Sequence, residues 1–270
     1  MITSHANKSV KEVMQLVQKA KVRKERGLFV VEGIKMFLEA PVEWIEQVYI
    51  SESFAKQMTD TCQKKLAYLH TPYETVTDVI FGKMSDTKTP QGILCVLKQQ
   101  RYRLEEMFTE PNPLFVLLED IQDPGNLGTI FRSGEGAGIT GVIMSENTVD
   151  IYNPKTIRST MGSIYRMPFL YTPDIGGTIE ELHRKNITVY AAHLQGAKTY
   201  NNCCYEMGTA FLIGNEANGL RDETVKKADM AIKIPMAGQV ESLNAAIASS
   251  VLLFEAARQR RMNKQELWNN

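Results

Sequence analysis

The 270-residue chain has little cysteine, only two tryptophans, no net charge and no long hydrophobic run. Its four cysteines stand at 62, 95, 203 and 204, with no pair at metal-ligand spacing and the last two adjacent. That excludes a disulfide framework and a cysteine-built metal centre, and it suits a reducing cytoplasm. The longest nearly uncharged apolar stretch, Leu243 to Phe254, is interrupted by Asn and Ser. It falls well short of the roughly 20 residues of a membrane span. The opening MITSHANKSVKE lacks the apolar core of a secretory signal. Thirty-one basic residues balance thirty-one acidic ones, so bulk charge gives no support to a nucleic-acid partner. A composition 43% hydrophobic and 23% charged excludes a wholly disordered chain. The length is comfortable for two domains.

The distribution of charge is more telling than its sum. Residues 1–105 hold sixteen Lys/Arg against twelve Asp/Glu, and the remainder reverses the balance. Between Lys8 and Lys35 there are eight basic residues and three acidic ones. A solvated helix face and a phosphate-facing surface are both open readings of that run. Lys21, Arg23, Lys24 and Arg26 fall where a first helix gives way to Gly27, so they are placed to project together.

Residues 7–20 repeat apolar positions at helical spacing, with Asn7 as N-cap, and KVRKERG breaks the pattern. Strands are expected at 28–33, 47–50, 66–69 and 92–98, and helices at IKMFLEA and near 53–65. These make a small mixed α/β domain over 1–100. Polar, proline-containing 101–113 reads as a linker. Residues 114–270 then alternate apolar strands (114–119, 141–144, 187–192, 210–214, 230–234) with helices near 126–137, 154–161, 176–186 and 242–261. Such alternation argues for a parallel sheet covered on both faces.

In parallel sheets, ligands lie beyond the carboxyl ends of the strands. Three strand ends here carry unusual residues. The first, LEDIQDPGNLGTIFRSGEGAG (118–138), offers Asn126 as a cap and Arg132 one to two turns into a helix. Its later glycines come too far from the strand for a dinucleotide phosphate loop. The second, FLIGNEANGLRDE (211–223), runs a strand straight into Gly214, Asn215 and Glu216. Gly214 allows close backbone approach to a ligand. The third, IKIPMAGQVESLNAAIASS (232–250), places Ser242, as N-cap, and Asn244 at a helix start, where amide groups and partial positive charge converge. Taken singly, each is equally an ordinary turn or cap.

In combination, N-x-G-x-x-x-R-[ST] at 126–133, G-N-E-x-x-G-L at 214–220 and I-P-M-x-G-x-x-x-S-L-N at 234–244 resemble the three motifs of the SpoU/TrmH-type RNA 2′-O-methyltransferases. The resemblance covers residues 114–260. Ser133 stands where Thr is common, and SLNAAIA replaces SLNVSVA. The opening stretch is similar to the ribosomal-protein-like RNA-binding domain of rRNA-directed members. The resemblance implies a deep trefoil knot in the C-terminal domain, which no hydrophobic period reveals. It implies S-adenosyl-L-methionine as cofactor, cradled by His193, Leu194, Gly196, Gly214, Asn215, Glu216, Ile234, Met236, Ser242 and Leu243.

It further implies that Arg132 serves the reaction, with Asn126, Ser242 and Asn244 in catalytic or orienting roles and Glu216 mainly organising its loop. An arginine stays protonated, so Arg132 suits a phosphate positioner and alkoxide stabiliser. Lys8, Lys21, Arg23, Lys24 and Arg26 are the expected RNA contacts. His5, His70, His183 and His193 match no catalytic position of the family. RNA as partner, ribosomal RNA foremost, a homodimer through the knotted domain, a cytoplasmic location and no metal or membrane complete the expectation. A tRNA methyltransferase and a catalytically silent RNA-binding relative are the alternatives.

Overall fold

A computed structural model describes residues 1–69 and 73–268, with side chains described to residue 262. His70 lies outside the described residues. The chain forms two units, Met1–Gln100 with Asp150–Tyr165, and Arg101–Val149 with Arg166–Asn270.

In the first unit, helix α1 (Lys8–Gln18) starts where the Asn7 side chain accepts the amides of Ser9 and Val10. Its Val10, Val13 and Leu16 are buried, each contributing about 1.5–3 kcal/mol of apolar transfer. The KVRKER segment is not a break but a second helix, α2 (Ala20–Arg26), closed by Gly27. Lys19 takes an extended conformation between the two, so the apolar period shifts phase without losing helicity.

Next come β1 (Leu28–Glu32), α3 (Ile34–Glu39), β2 (Ile45–Ser51), α4 (Glu52–Gln57), α5 (Asp60–Tyr68), β3 (Tyr73–Val76), α6 (Asp78–Met84) and β4 (Ile93–Lys98). The expected strand at 66–69 is instead the end of α5, and the strand follows at β3. Leu66 is the buried residue of a helical turn there, not one of an alternating pair. Helix α6 escaped the sequence reading. Thr77 caps it, and Ile80, Phe81 and Met84 pack with α1 over the sheet. The sheet order is β1-β4-β2-β3, antiparallel except for the parallel pair β2–β3.

Residues 150–165 complete this unit. Helix α7 (Pro154–Thr160) buries Ile157, and Tyr152 packs at a tilt against Phe29 with ring centroids 4.6 Å apart. The Tyr165 hydroxyl donates to the Met36 carbonyl at 2.9 Å.

The second unit begins with residues 101–113, whose 3-10 turn buries Leu104 and Met107 in the core. It holds β5 (Leu114–Leu118), α8 (Pro124–Ala137), β6 (Gly141–Ser145), β7 (Phe169–Thr172), α9 (Ile175–Arg184), β8 (Thr188–Ala192), β9 (Lys198–Thr199), β10 (Thr209–Ile213), α10 (Asp222–Lys227), β11 (Met230–Lys233) and α11 (Ala245–Trp268). Strands β7 and β9 and helix α10 escaped the sequence reading.

All seven strands are parallel, in the order β7-β6-β5-β10-β8-β11-β9. Phe115, Leu117, Ala210 and Leu212 face α9 and α10, and the alternate residues face α8 and α11. Strand β10 enters between β5 and β8 although it follows both in the chain. A topological switch point is thereby created, and the carboxyl ends of these strands open a crevice.

Candidate active site

Residues 192–195, 213–220 and 232–236 leave three adjacent strand ends and meet the start of α11 around a cavity of about 580 Å³. Of the ten expected cofactor residues, His193, Leu194, Gly214, Asn215, Glu216, Ile234, Met236, Ser242 and Leu243 line it. Gly196 does not line it. A Cβ there would sit 2.4 Å from the carbonyl carbon of Ile232, so this glycine lets one backbone cross another. Gly214 has the same duty. A Cβ would stand 2.3 Å from the Gly219 carbonyl carbon and 2.4 Å from the Leu220 nitrogen. The close approach expected of a ligand is thus first an approach of the loop's own return, which Asn215 and Gly219 pin by paired backbone hydrogen bonds. Gln195, Ala217, Asn218, Lys233, Glu241 and Leu252 also line the cavity without having been singled out from the sequence.

The two expected caps are displaced. Helix α8 begins at Pro124, and Asp123, not Asn126, caps it by accepting the Asn126 amide. Proline is well suited to that first helical position, where no amide is needed. Helix α11 is capped by Asn244, whose Oδ1 accepts the Ala246 amide at 2.9 Å and the Ile247 amide at 3.3 Å. Ser242 stands two residues earlier, on the cavity wall.

The side chains of Glu216, Asn126 and Asn244 form a series. Glu216 Oε1 accepts Asn126 Nδ2 at 2.9 Å, and Asn126 Oδ1 accepts Asn244 Nδ2 at 2.9 Å. One residue from each motif is thereby joined. Glu216 also accepts the amides of Gln122 and Asp123 at 3.0 and 3.1 Å. Partial burial pushes its carboxyl up, but hydrogen bonds from Asn126 and from the amides of Gln122, Asp123 and Glu216 itself outweigh this. The net result is a carboxyl held below the usual range, and an anion that ties the first loop to the second.

Arg132 is exposed on α8 and has no hydrogen-bond or ion-pair partner among the described residues. Ser133 is engaged in binding the two helices together, accepting from Ser250 of α11 at 2.9 Å.

Glu119 went unnoticed in the sequence although a carboxylate ending the run LFVLLE is itself a signal. It is 1% exposed and accepts the Arg221 amide at 2.8 Å and the Thr224 hydroxyl at 2.6 Å. Arg221 bridges Glu119 and Asp120, and Asn215 Nδ2 donates to the Asp120 carbonyl at 2.7 Å. The loops around the cavity are therefore preorganised by a polar network anchored on the buried Glu119.

The expected basic tetrad of the first unit does not act as one. Arg23 is 3% exposed and faces inward, its Nε donating to Asp150 at 2.8 Å and its Nη1 to the carbonyls of Leu16 and Val17. A guanidinium has five donors to satisfy, and these acceptors at the end of α1 draw it into the fold. Arg26 pairs with Glu12 at 3.3 Å and Lys21 with Glu25 at 3.8 Å. Lys8 and Lys24 are exposed and unpaired among the described residues. His5 is exposed, and His183 bonds Asp229 at 2.9 Å by the amino ends of β8 and β11.

Comparison with known proteins bears on this geometry directly. A model described as the SpoU rRNA Methylase family matches residues 113–254, and one described as the MRM3-like substrate binding domain matches residues 7–95. The chain belongs to the SpoU methylase family. It is 29% identical over 256 residues to the 23S rRNA (guanosine(2553)-2′-O)-methyltransferase RlmP of Bacillus subtilis, covering 94% of this chain and 97% of that one. An AdoMet-bound rRNA methyltransferase from Sinorhizobium meliloti superposes with a TM-score of 0.82 at 30% identity, covering 95% and 97% of the two chains. The AviRb methyltransferase of Streptomyces viridochromogenes, in complex with AdoMet, does so at 0.87 and 25%, covering 94% and 98%.

The fold is therefore the trefoil-knotted α/β fold of SpoU enzymes, preceded by a small α/β domain. At Gly196 and Gly214 backbone approaches backbone too closely for any side chain. The enzyme is an S-adenosylmethionine-dependent RNA ribose 2′-O-methyltransferase. The cavity fits that cofactor in chemistry as well as size. Ile234, Met236, Leu243 and Leu252 are apolar parts of its lining, and the backbone at 193–195 and 214–216 adds polar groups, the mixture a nucleoside-bearing cofactor requires. Among the described residues no group of His, Cys, Asp and Glu could hold a metal, and no helix is long and apolar enough to cross a membrane.

Proposed function

We propose that this enzyme methylates a ribose 2′-hydroxyl of ribosomal RNA, working in the cytoplasm as a homodimer. The observation that carries the reading is the hydrogen-bonded series Glu216–Asn126–Asn244, which joins two residues of the cavity lining to the helix that also bears the exposed Arg132. The match of residues 7–95 to a substrate-binding domain, and the rRNA-directed relatives that share the full length, support the ribosomal target.

When bound, the cofactor supplies a sulfonium methyl as electrophile. The protein must then position a weak nucleophile and handle its proton. Arg132, always protonated and without an internal partner, holds the phosphate next to the target ribose and stabilises oxyanion character on the 2′-oxygen. The proton of the 2′-hydroxyl passes to phosphate or solvent. Asn126, fixed at one end by anionic Glu216, orients Asn244, and the pair directs the ribose. Ser242, on the wall rather than at the cap, contacts the cofactor. Lys8, Lys21, Lys24 and Arg26 remain surface-borne and meet phosphate, Lys8 and Lys24 without giving up an internal ion pair. Ile247 and Phe254, 50% and 46% exposed and seven residues apart on α11, leave an apolar strip for the second copy.

The test is methyl transfer to total rRNA from a strain lacking the gene, with the site mapped by reverse-transcription stops at low dNTP. One new stop dependent on enzyme and cofactor is expected. Arg132→Ala should bind cofactor normally yet lose about 10²-fold or more in turnover. Arg132→Lys should recover little, because an ammonium lacks the planar fork. Transfer to tRNA alone would overturn the ribosomal assignment.

A further inference from the structure

A second cavity, about 380 Å³, opens at the same edge of the sheet. The ends of β5 and β6 meet the starts of α9 and α10 around it. Four carboxylates line it, those of Glu119, Glu146, Asp174 and Glu223, against two cations, Arg221 and Lys227. Both cations are already engaged: Arg221 with Glu119 and Asp120, and Lys227 with Glu180 at 2.6 Å. An RNA phosphate or any other anion meets net negative charge here and no free cation, so the cavity is unsuited to the nucleic-acid backbone.

Two of its side chains are different. Glu146 and Asn147 are exposed to the cavity and have no side-chain partner among the described residues. They offer an acceptor-only carboxylate next to an amide that both donates and accepts. An unpaired nucleobase presents the complementary groups. Guanine does so best, since its N1–H and N2–H lie side by side and match the two oxygens of one carboxylate, leaving O6 for an amide donor. Uracil has only one N–H between two carbonyls, which a carboxylate repels.

The cavity is also wired to the methyl-transfer site. The Asn147 carbonyl accepts Gln122 Nε2 at 2.7 Å, and the Gln122 amide donates to Glu216 Oε2 at 3.0 Å. Glu216 in turn holds Asn126. A single loop residue, Gln122, therefore links Asn147 to the series Glu216–Asn126–Asn244.

We propose that this second cavity receives an unpaired guanine flanking the methylated nucleotide, with Glu146 and Asn147 reading its Watson–Crick edge. The proposal rests on the methyl-transfer reading above, and deepens it to a specificity subsite. The experiment uses the full-length enzyme and a short transcript carrying the mapped target, with each guanosine within two nucleotides of it replaced singly by inosine, which lacks the N2 amino group. For wild type, one such replacement should raise KM about tenfold and leave kcat little changed. Glu146→Gln should raise KM on the parent transcript by a similar factor, and should no longer distinguish inosine from guanosine at that position. Its cofactor affinity and thermal unfolding should match wild type, because Glu146 has no internal partner to lose. Equal KM for every inosine transcript, or a Glu146→Gln enzyme with wild-type KM, overturns the subsite. Absence of any transfer by wild type overturns the methyl-transfer reading, and the subsite with it. Transfer that ignores the inosine replacements overturns the subsite alone.

Discussion

Replacing Arg23 by Ala should destabilise the first unit without altering how the protein meets RNA. The side chain is 3% exposed, and it makes charged hydrogen bonds to Asp150 and to the carbonyls of Leu16 and Val17. Removing one member of a buried ion pair commonly costs about 3–5 kcal/mol, because the other charge is stranded. Here the Asp150 side chain keeps 27% of its exposure, so water recovers part of the loss. The two carbonyls at the end of α1 lose a donor at roughly 1 kcal/mol each. Counting these together with the partial rehydration, a loss of about 3 kcal/mol is expected. Arg23→Lys should fall near half of that, since an ammonium can reach Asp150 or the carbonyls but not both.

Urea denaturation reads this directly in a Trp268→Phe background, where the remaining tryptophan, Trp44, lies in the first unit with its ring 5.9 Å from that of Tyr165. With a slope of about 1.5 kcal/mol per molar urea, the Arg23→Ala midpoint should drop by about 2 M. Lys24→Ala, an exposed control, should stay within about 0.5 kcal/mol of the parent. An unchanged Arg23→Ala midpoint, accompanied by a flatter salt dependence of RNA binding, would refute the inward assignment and return Arg23 to the RNA surface.

The Lys8→Ala/Lys24→Ala double variant should lower the slope of log affinity against log salt by about 1.5 to 2, since each lost phosphate contact releases fewer counterions, with cofactor affinity unchanged. Gly214→Ala should already abolish cofactor binding and lower the thermal midpoint, because the new Cβ meets backbone at 2.3–2.4 Å; wild-type binding by this variant would remove the crossing from the argument. For Glu216, a carboxyl held below its usual range contributes stability that is fully present above the ordinary carboxylate value and is lost as pH falls through the lowered one. Cofactor titrations from pH 7 down to 3 should therefore show the wild-type loop intact through the ordinary range and failing only below it. Glu216→Gln should bind weakly at every pH and lack that acid limb.

Much of this protein was legible in the sequence, for reasons that are local. Asn7 before Val10, Val13 and Leu16 announces a capped amphipathic helix because capping and a period of 3.6 need no distant residue. The long apolar strands of the second unit announce themselves in the same way; the second and third motifs marked loops that line the cavity, and the first joins them through Asn126. Boundaries failed where two local solutions compete. Asp123 before Pro124 outbids Asn126 as a cap, and Asn244 outbids Ser242. Short elements such as β7, β9 and α10 hold too few residues to set a period.

What only the tertiary structure decided concerns pairs far apart in the chain. Nothing near Arg23 in sequence says that Asp150, 127 residues on, will draw it inward. Nothing near Gly196 or Gly214 says that their missing side chains serve backbone crossings rather than a ligand. The joining of Glu216, Asn126 and Asn244 needs β10 to thread between β5 and β8, and strand order is a property of the sheet, not of any one strand. Propensity and pattern act over a few residues, whereas burial, charge pairing and chain crossing are settled when distant segments compete for the same space.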